Sequence, residues 1–456
     1  MGTRTSGGTP AGKPAVGVPT QLAGACPDVA LASAADAVCG QPARYVAAPA
    51  STQEAAAALK AAADLGLTVV PRGTGSKLDW GAPPSGCDLI VDTRRMKRVL
   101  EHAAGDLVVS VQAGVRLEQL AEVLASARQR LALDPPGGGT IGGVLATQVA
   151  GPLRFRFGAP RDLLIGITVV RADGTVARSG GKVVKNVAGY DLGKLFAGSY
   201  GTLGLITEAT FRLHPAPAAS AVSTLECSDT QSAAAAVQAA ADSPLTPSAI
   251  ELDWPGAANP IAVSVLLEGD EASVAERADR MRNLLGDRAS DQPEPDRPAL
   301  AGAGSAVGPV SVWGRWPAGD REHSAADGTV LRVGFWPGQL APVLDAIRIA
   351  AAGTGLDPSI GGSAAAGVLH VEVDAGASAD AVARMVDALR DRLVVMAHGA
   401  GIPPATASAV VLYAPATARD ALNMWGPVPS LRLMQAVKDQ FDPEHRMAPG
   451  RFAGGI

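Results

Sequence analysis

The groups in this chain best suited to chemistry belong to the backbone. In "VVPRGTGSKLDWG" (69–81) an apolar run ends at Arg72 and gives way to Gly73, Thr74, Gly75, Ser76 and Lys77. Glycine accepts backbone angles that a side chain forbids, so such a turn can aim several N–H groups into one concavity where an anion sits. An ordinary surface turn has the same composition. Three further glycine clusters follow: "PPGGGTIGG" (135–143), "GGKVVKNVAGYD" (180–191) and "GSYGTLG" (198–204). Each glycine loosens the unfolded chain and weakens packing locally. Loops closing around one elongated ligand would account for all four together. The first cluster lacks the Gly-Lys-Ser/Thr ending of a triphosphate-binding loop, and Leu78 stands where a dinucleotide fingerprint needs its third glycine.

Composition narrows the partners. A chain of 456 residues has material for two or three domains, and 47% hydrophobic against 18% charged residues describes a globular protein. A net charge of -5 argues against a broad nucleic-acid surface. Cys26, Cys39, Cys87 and Cys227 are scattered without a C-x-x-C pair, so spacing indicates neither zinc nor an iron–sulfur cluster, and no metal is expected. Residues 1–22 read as a flexible tail. No apolar run approaches the roughly 20 residues that span a bilayer, so a cytoplasmic chain is expected, at most peripheral to the membrane through partners.

The elements that must position the glycine loops are legible as period and punctuation. Ser51 and Glu54 have capping-box spacing and open an Ala-rich helix ending near Gly66, after which "LTVVP", "DLIVD" and "LVVSVQAG" read as strands. A helix from Arg116 towards Arg128 follows. Asp173-Gly174 predicts a type I′ hairpin, and "LGLITEATFRL" a long strand ending at Leu213. "HPAPAAS" reads as a linker. Beyond it, strands alternate with helices at 231–242, 271–285, 340–352 and 378–396, which suits an antiparallel sheet backed by helices. A Pro-rich stretch at 287–309 reads as a mobile loop.

The stretches "VVPRGTGS", "TIGGVLAT", "FGAPRDLLIGITVVRADGTV", "VVKNVAGYDLGKLFAGSYGTLGLITEATFRLHPAP" and "FDPEHRMAPGRF" together resemble the FAD-binding proteins of the vanillyl-alcohol oxidase, or PCMH, type. The "KNVAGYDL" form is most similar to the GlcE-type subunits of bacterial glycolate oxidase. The resemblance implies an α+β fold. A flavin domain of two α/β subdomains (40–218) would precede a cap domain with an antiparallel sheet (219–439), and residues 440–456 would return to the flavin domain. It implies that Arg72, Gly73, Thr74, Gly75, Ser76 and Lys77 wrap the FAD pyrophosphate, that Thr140, Ile141, Gly142 and Gly143 close on it, and that backbone near Gly204 and Ile206 meets the adenine or the flavin edge.

Arg161 and Asp162 hold a motif position that serves either the flavin or a turn cap. Lys185, Asn186, Tyr190 and Asp191 belong to the "KNVAGYD" loop, where Lys185 either supplies charge near the flavin ring or is simply solvated. Some relatives tether flavin through a histidine in the phosphate loop. None stands at 72–80, so non-covalent FAD is expected. Relatives that oxidise hydroxy acids cluster histidines with a glutamate in the second half. Here the candidates for proton transfer are only His370, His398 and Tyr190, and His214 reads as structural. The resemblance thus implies the FAD subunit of a glycolate oxidase-like, D-2-hydroxy-acid dehydrogenase complex, with a sister FAD subunit and an iron–sulfur subunit. The alternatives are a self-sufficient FAD-dependent alcohol or hydroxy-acid oxidoreductase and a non-catalytic assembly subunit.

Overall fold

A computed structural model describes residues 19–181, 191–286, 289–292, 328–401, 403 and 407–456. The tail expected over 1–22 overlaps an ordered element: Thr20–Ala25 is a helix (α1), and Leu22 is fully buried beside the fully buried Cys26. The apolar spacing of two residues in so short a run is too little to announce a helix in advance.

Among the described residues, four strands make the first sheet: Val29–Leu31 (β1), Tyr45–Ala47 (β2), Val69–Arg72 (β3) and Leu89–Asp92 (β4), in the order β1-β2-β4-β3. β2 and β3 both run parallel to β4. The helix Thr52–Asp64 (α2) starts where Ser51 Oγ accepts the Glu54 N–H at 3.1 Å, and the Glu54 carboxylate reaches back to the Ala50 N–H at 2.9 Å. Its buried Ala55, Ala58 and Ala62 let it pack closely.

The second sheet is antiparallel: Val99–Ala103 (β5), Val108–Gln112 (β6), Leu164–Val170 (β7), Val176–Gly180 (β8) and Leu205–Arg212 (β9), ordered β8-β7-β9-β6-β5. The β7–β8 turn is not the type I′ turn that Asp173-Gly174 suggested. Only Gly174 has positive φ (84°), and the Gly174 N–H bonds the Arg171 carbonyl. That is the three-residue hairpin, with glycine in the left-handed position. A Cβ at Gly174 would lie 2.7 Å from the Ala56 carbonyl of α2, so the turn is seated on that helix. Helices Leu117–Ala125 (α3), Ile141–Thr147 (α4), Arg154–Phe157 (α5) and Pro160–Leu163 (α6) fall between β6 and β7 in sequence.

The third sheet has eight strands among the described residues: Ala219–Cys227 (β10), Ala249–Trp254 (β11), Ile261–Gly269 (β12), Ala289–Gln292 (β13), Thr329–Gly334 (β14), Ser359–Gly362 (β15), Val368–Val373 (β16) and Ser408–Tyr413 (β17). Their order is β13-β10-β12-β11-β15-β16-β14-β17. β13 lies inside the stretch read as a loop, because its pairing with β10 supplies what local composition withholds. Residues 293–309 of that stretch lie outside the described residues. Strand alternation divides the sheet into two faces. Ile250, Leu252, Val263, Val265, Leu331, Val333, Leu369 and Val371 are buried in a core shared with helices Leu340–Ala352 (α9) and Ala379–Gly399 (α10). Thr230–Asp242 (α7) and Glu271–Leu285 (α8) pack on the same core. The opposite face carries Thr224, Glu251, Asp253, Ser264 and His370, all buried.

That polar face looks at the first half of the chain. Arg130 and Glu268 of β12 meet there in a fork-to-fork pair, both contacts 2.7 Å and both side chains about 95% buried. The Arg130 guanidinium also lies over the Phe157 ring. The expected linker is tied down at its start, since His214 and Pro215 pair with Arg130 and Gln129. The last segment inserts beside β3: the Val69 N–H bonds the Arg446 carbonyl and the Ala448 N–H bonds the Val69 carbonyl. Lys438, on the helix Leu431–Phe441 (α11), is wholly buried and donates to Asp442 Oδ2, the Thr202 carbonyl and the Met447 carbonyl at 2.7, 2.7 and 2.9 Å.

Breaking the Arg130–Glu268 pair from one side strands a buried charge, at about 3–5 kcal/mol. Glu268→Gln should therefore lower the urea midpoint sharply. Replacing both residues with methionine should cost much less, and equal losses in the two variants would contradict this account.

Candidate cofactor site

β3 delivers the chain to the first glycine loop at Arg72. The Arg72 guanidinium is engaged by Asp36 at 2.7 Å and Asp92 at 3.0 Å, so this side chain anchors the loop and is not free for an anion. Burial alone would raise the Asp36 carboxyl, but hydrogen bonds from Ser33 and Arg72 outweigh it and hold it down to about 2. Past Arg72, the N–H groups of Gly73, Thr74, Gly75, Ser76 and Lys77 find no acceptor among the described residues. Five successive free donors on a half-exposed loop make a nest for an anion.

The second glycine loop closes against the first. A Cβ at Gly73 would come within 2.1 Å of Thr140 Oγ1, the group that caps α4 by accepting the Gly143 N–H. Lys77 bridges the two loops, its Nζ donating to the Gly138 carbonyl at 2.9 Å. Burial depresses the Lys77 ammonium to about 8, against the pull of Glu118. The turn at 198–204 supplies a third wall: Tyr200 sits at positive φ (54°), and a Cβ at Gly201 would press on the Pro71 ring at 3.1 Å. Arg451, almost wholly buried, donates to the carbonyls of Leu78 and Trp80 at 2.7 Å each and braces the first loop from behind. Between these walls lies a cleft open to solvent.

Of the residues expected at the site, Arg72 to Lys77, Thr140 and Gly143 line this cleft. Ile141 and Gly142 stand behind it, their N–H groups bonded to the carbonyls of Val115 and Ala113. Asp162 takes the cap alternative, accepting the Ala159 N–H at 2.8 Å, and Arg161 is exposed beside it. Gly204 and Ile206 are not brought to the cleft. A Cβ at Gly204 would meet the Val170 carbonyl of β7, and Ile206 is buried in the core of the second sheet. Lys185, Asn186 and Tyr190 lie outside the described residues. His398 is exposed on α10, its Nδ1 against the Val394 carbonyl of its own helix, and it does not line the cleft. His214 packs edge-on to Phe157, and burial followed by Arg212 pushes it down to about 4.

His370 belongs to the polar face of the third sheet, which the sequence reading missed as a unit. It is the register partner of Arg332 on the neighbouring strand. Burial, then the charges of Arg332 and Arg154, hold it neutral down to about 3. Glu251 is pushed up to about 8 by burial although Ser363 Oγ donates to it, so at neutral pH it is a carboxylic acid. The signal was present in "AIELDW" and "VLHVEV", where polar residues alternate with residues that must enter the helical core. Tyr200 and Arg451 were also missed individually, although both stand in stretches that carried the resemblance.

Residues 43–180 match the family model described as FAD binding domain. The chain carries an FAD-binding domain of the PCMH type. Over 174 residues, 38% of the chain, it is 37% identical to glycolate oxidase subunit GlcD of Bacillus subtilis, covering 37% of that protein. Over 155 residues, 33% of the chain, it is 39% identical to glycolate oxidase subunit GlcE of Escherichia coli, covering 44% of that protein. The aligned region thus spans less than half the length of these curated relatives. The solved structure of p-cresol methylhydroxylase shares the fold, with a TM-score of 0.68 at 15% identity over 95% of both chains. The FAD-binding domain fits its cofactor in this structure: the free N–H groups at 73–77 suit a pyrophosphate, and glycines at 73 and 139 leave no side chain between the two loops.

Gly73→Ala forces Thr140 to move, an overpacking of about 1–3 kcal/mol at the point where the loops meet. The variant should purify with markedly less FAD, read as the ratio of absorbance at the flavin band to that of protein. Truncation after residue 439 removes Asp442 and Arg451 and should likewise weaken FAD retention.

Proposed function

We propose that this chain is an FAD-dependent oxidoreductase, acting as the FAD-binding subunit of a glycolate oxidase-like complex that oxidises D-2-hydroxy acids. The observation that carries the proposal is the run of five unpaired N–H groups at Gly73 to Lys77, faced by a second glycine loop within the matched FAD-binding region. The relatives GlcD and GlcE, named as glycolate oxidase subunits, support the substrate class and the multi-subunit setting. A sister FAD subunit and an iron–sulfur subunit complete the proposed complex, since the four scattered cysteines give this chain no cluster site of its own. Bound FAD supplies the electron acceptance. The chain's own groups bind and orient it: backbone amides and Lys77 on the diphosphate, Arg451 stiffening the loop, and the polar sheet face closing the far side.

The FAD is held without a covalent bond, because the loop at 72–80 offers no histidine to tether it. The proposed place of work is the cytoplasm; among the described residues no helix is long and apolar enough to cross a membrane. A second reading, a self-sufficient hydroxy-acid oxidoreductase, is favoured by Glu251 and His370 on one buried face, which give the chain proton-handling groups of its own.

Acid precipitation should release the yellow colour into the supernatant. Mixing the purified chain anaerobically with glycolate or D-lactate, alone and after co-expression with candidate partners, separates the readings. Turnover by the lone chain at on the order of 10 per second, typical of complete enzymes, would establish self-sufficiency. Lys77 adds a pH signature. It is protonated below about 8 and loses its charge as pH rises through that value, so FAD affinity should fall above pH 8. Fluorescence titration of the apoprotein should show this step, and Lys77→Gln should flatten it.

A further inference from the structure

Arg154 and Arg332 stand out among the arginines at the junction of the two halves. Arg72, Arg130, Arg419 and Arg451 each donate to a carboxylate or to carbonyls. Neither Arg154 nor Arg332 has a hydrogen bond or an ion pair among the described residues, and both are half-buried. A guanidinium drawn out of water without a partner is costly. Burial and then the charge of Arg332 lower the pKa of Arg154, so the two cations feel one another.

Among the described residues neither guanidinium has a carboxylate within ion-pair distance, although Glu251 and Asp162 attract Arg154 from further off. Arg332 lies opposite His370, with both Cα atoms in one register row of β14 and β16 and both side chains on the polar face. Arg154 comes from α5, which packs on β11, the strand that carries Glu251. His370 is neutral and Glu251 is held as the uncharged acid, with Ser363 Oγ 2.5 Å from its Oε1. Asp134 acts on Glu251 and Asp162 on Arg154 through space, with no hydrogen bond from Asp162 to either arginine among the described residues. Arg332 also acts on Tyr200, which lines the cofactor cleft. The unmatched positive charge therefore sits where the cleft meets the polar face of the sheet.

We propose that Arg154 and Arg332 form a binding site for the carboxylate of a small organic acid, held between the FAD-binding domain and the polar face of the large sheet. The site deepens, and rests on, the reading of the chain as a hydroxy-acid oxidoreductase. Two planar guanidiniums match the forked geometry of a carboxylate. Glu251, kept protonated and pinned by Ser363, is a hydrogen-bond donor for a second oxygen of the same ligand. The arginines select the anion, and Glu251 and His370 add no charge that would repel it.

The test is calorimetric titration of the FAD-loaded chain with oxalate in chloride-free buffer. Oxalate should bind, and Arg154→Gln and Arg332→Gln should each weaken it at least about tenfold, the worth of one charge-assisted hydrogen-bonding group, with FAD content unchanged at the flavin band. Arg332→Lys, which keeps the charge but not the fork, should fall in between and stands in if a glutamine variant loses its circular dichroism. Absence of oxalate binding to the yellow protein, or wild-type affinity in folded variants, would overturn the site while leaving the flavin reading intact. Inorganic phosphate binding as tightly as oxalate, with the same loss in the variants, would overturn the assignment to a carboxylate. A colourless chain that cannot take up FAD would instead remove the oxidoreductase reading, and the oxalate titration would still report on the two arginines.

Discussion

Gly73 to Lys77 keep five backbone donors in a row without acceptors among the described residues, and the contacts around them hold the loop in that form. A loop of that composition would otherwise fold back on itself or be satisfied by the next strand. Here Arg72 is clamped by Asp36 and Asp92, Leu78 and Trp80 are held by Arg451, and Thr140 closes over Gly73. The ends are fixed by charge and the middle is left open. The loop is half-exposed, so solvent can reach the free amides.

The large sheet follows a complementary logic. One face packs on helices through a large apolar core; the other is apolar only in patches, around Leu266 and around Leu412. What it carries instead is buried polarity: a fork-to-fork ion pair with Arg130, an acid bonded to a serine, and a neutral histidine beside an arginine. Such groups weaken a hydrophobic interface, and packing alone does not call for their concentration at the junction of the two halves.

How far the sequence could be read depends on whether a feature is local. The cap at Ser51, the helix Glu271–Leu285 and the strand Leu205–Arg212 are written in consecutive residues and were legible to within a residue or two. Three of the four glycine clusters, those at 73–77, 135–143 and 198–204, meet at one cleft, while residues 182–190 of the fourth lie outside the described residues. The strand Ala289–Gln292 was not legible, since its existence depends on an edge offered by Ala219–Cys227 far away in the chain. Arg161 and Asp162 show the limit of motif reading: the residues are where the pattern puts them, yet the aspartate serves its own helix. Arg154 and Arg332 carried no local signal at all. They are 178 positions apart by their numbers and become neighbours in charge only when the sheet closes on the first half.

The segment 442–451 gives the molecule a temporal order as well as a shape. β3 is among the early elements to leave a ribosome, yet its outer side is occupied by Arg446 to Ala448, and the loop that follows it is propped by Arg451. A nascent first half therefore emerges with its anion nest unsupported and one strand edge bare. Long-range pairing of this kind is slow and leaves hydrophobic edges exposed in the meantime. The loop that carries the anion nest thus gains its support only once residues 442–451 have been made and have docked.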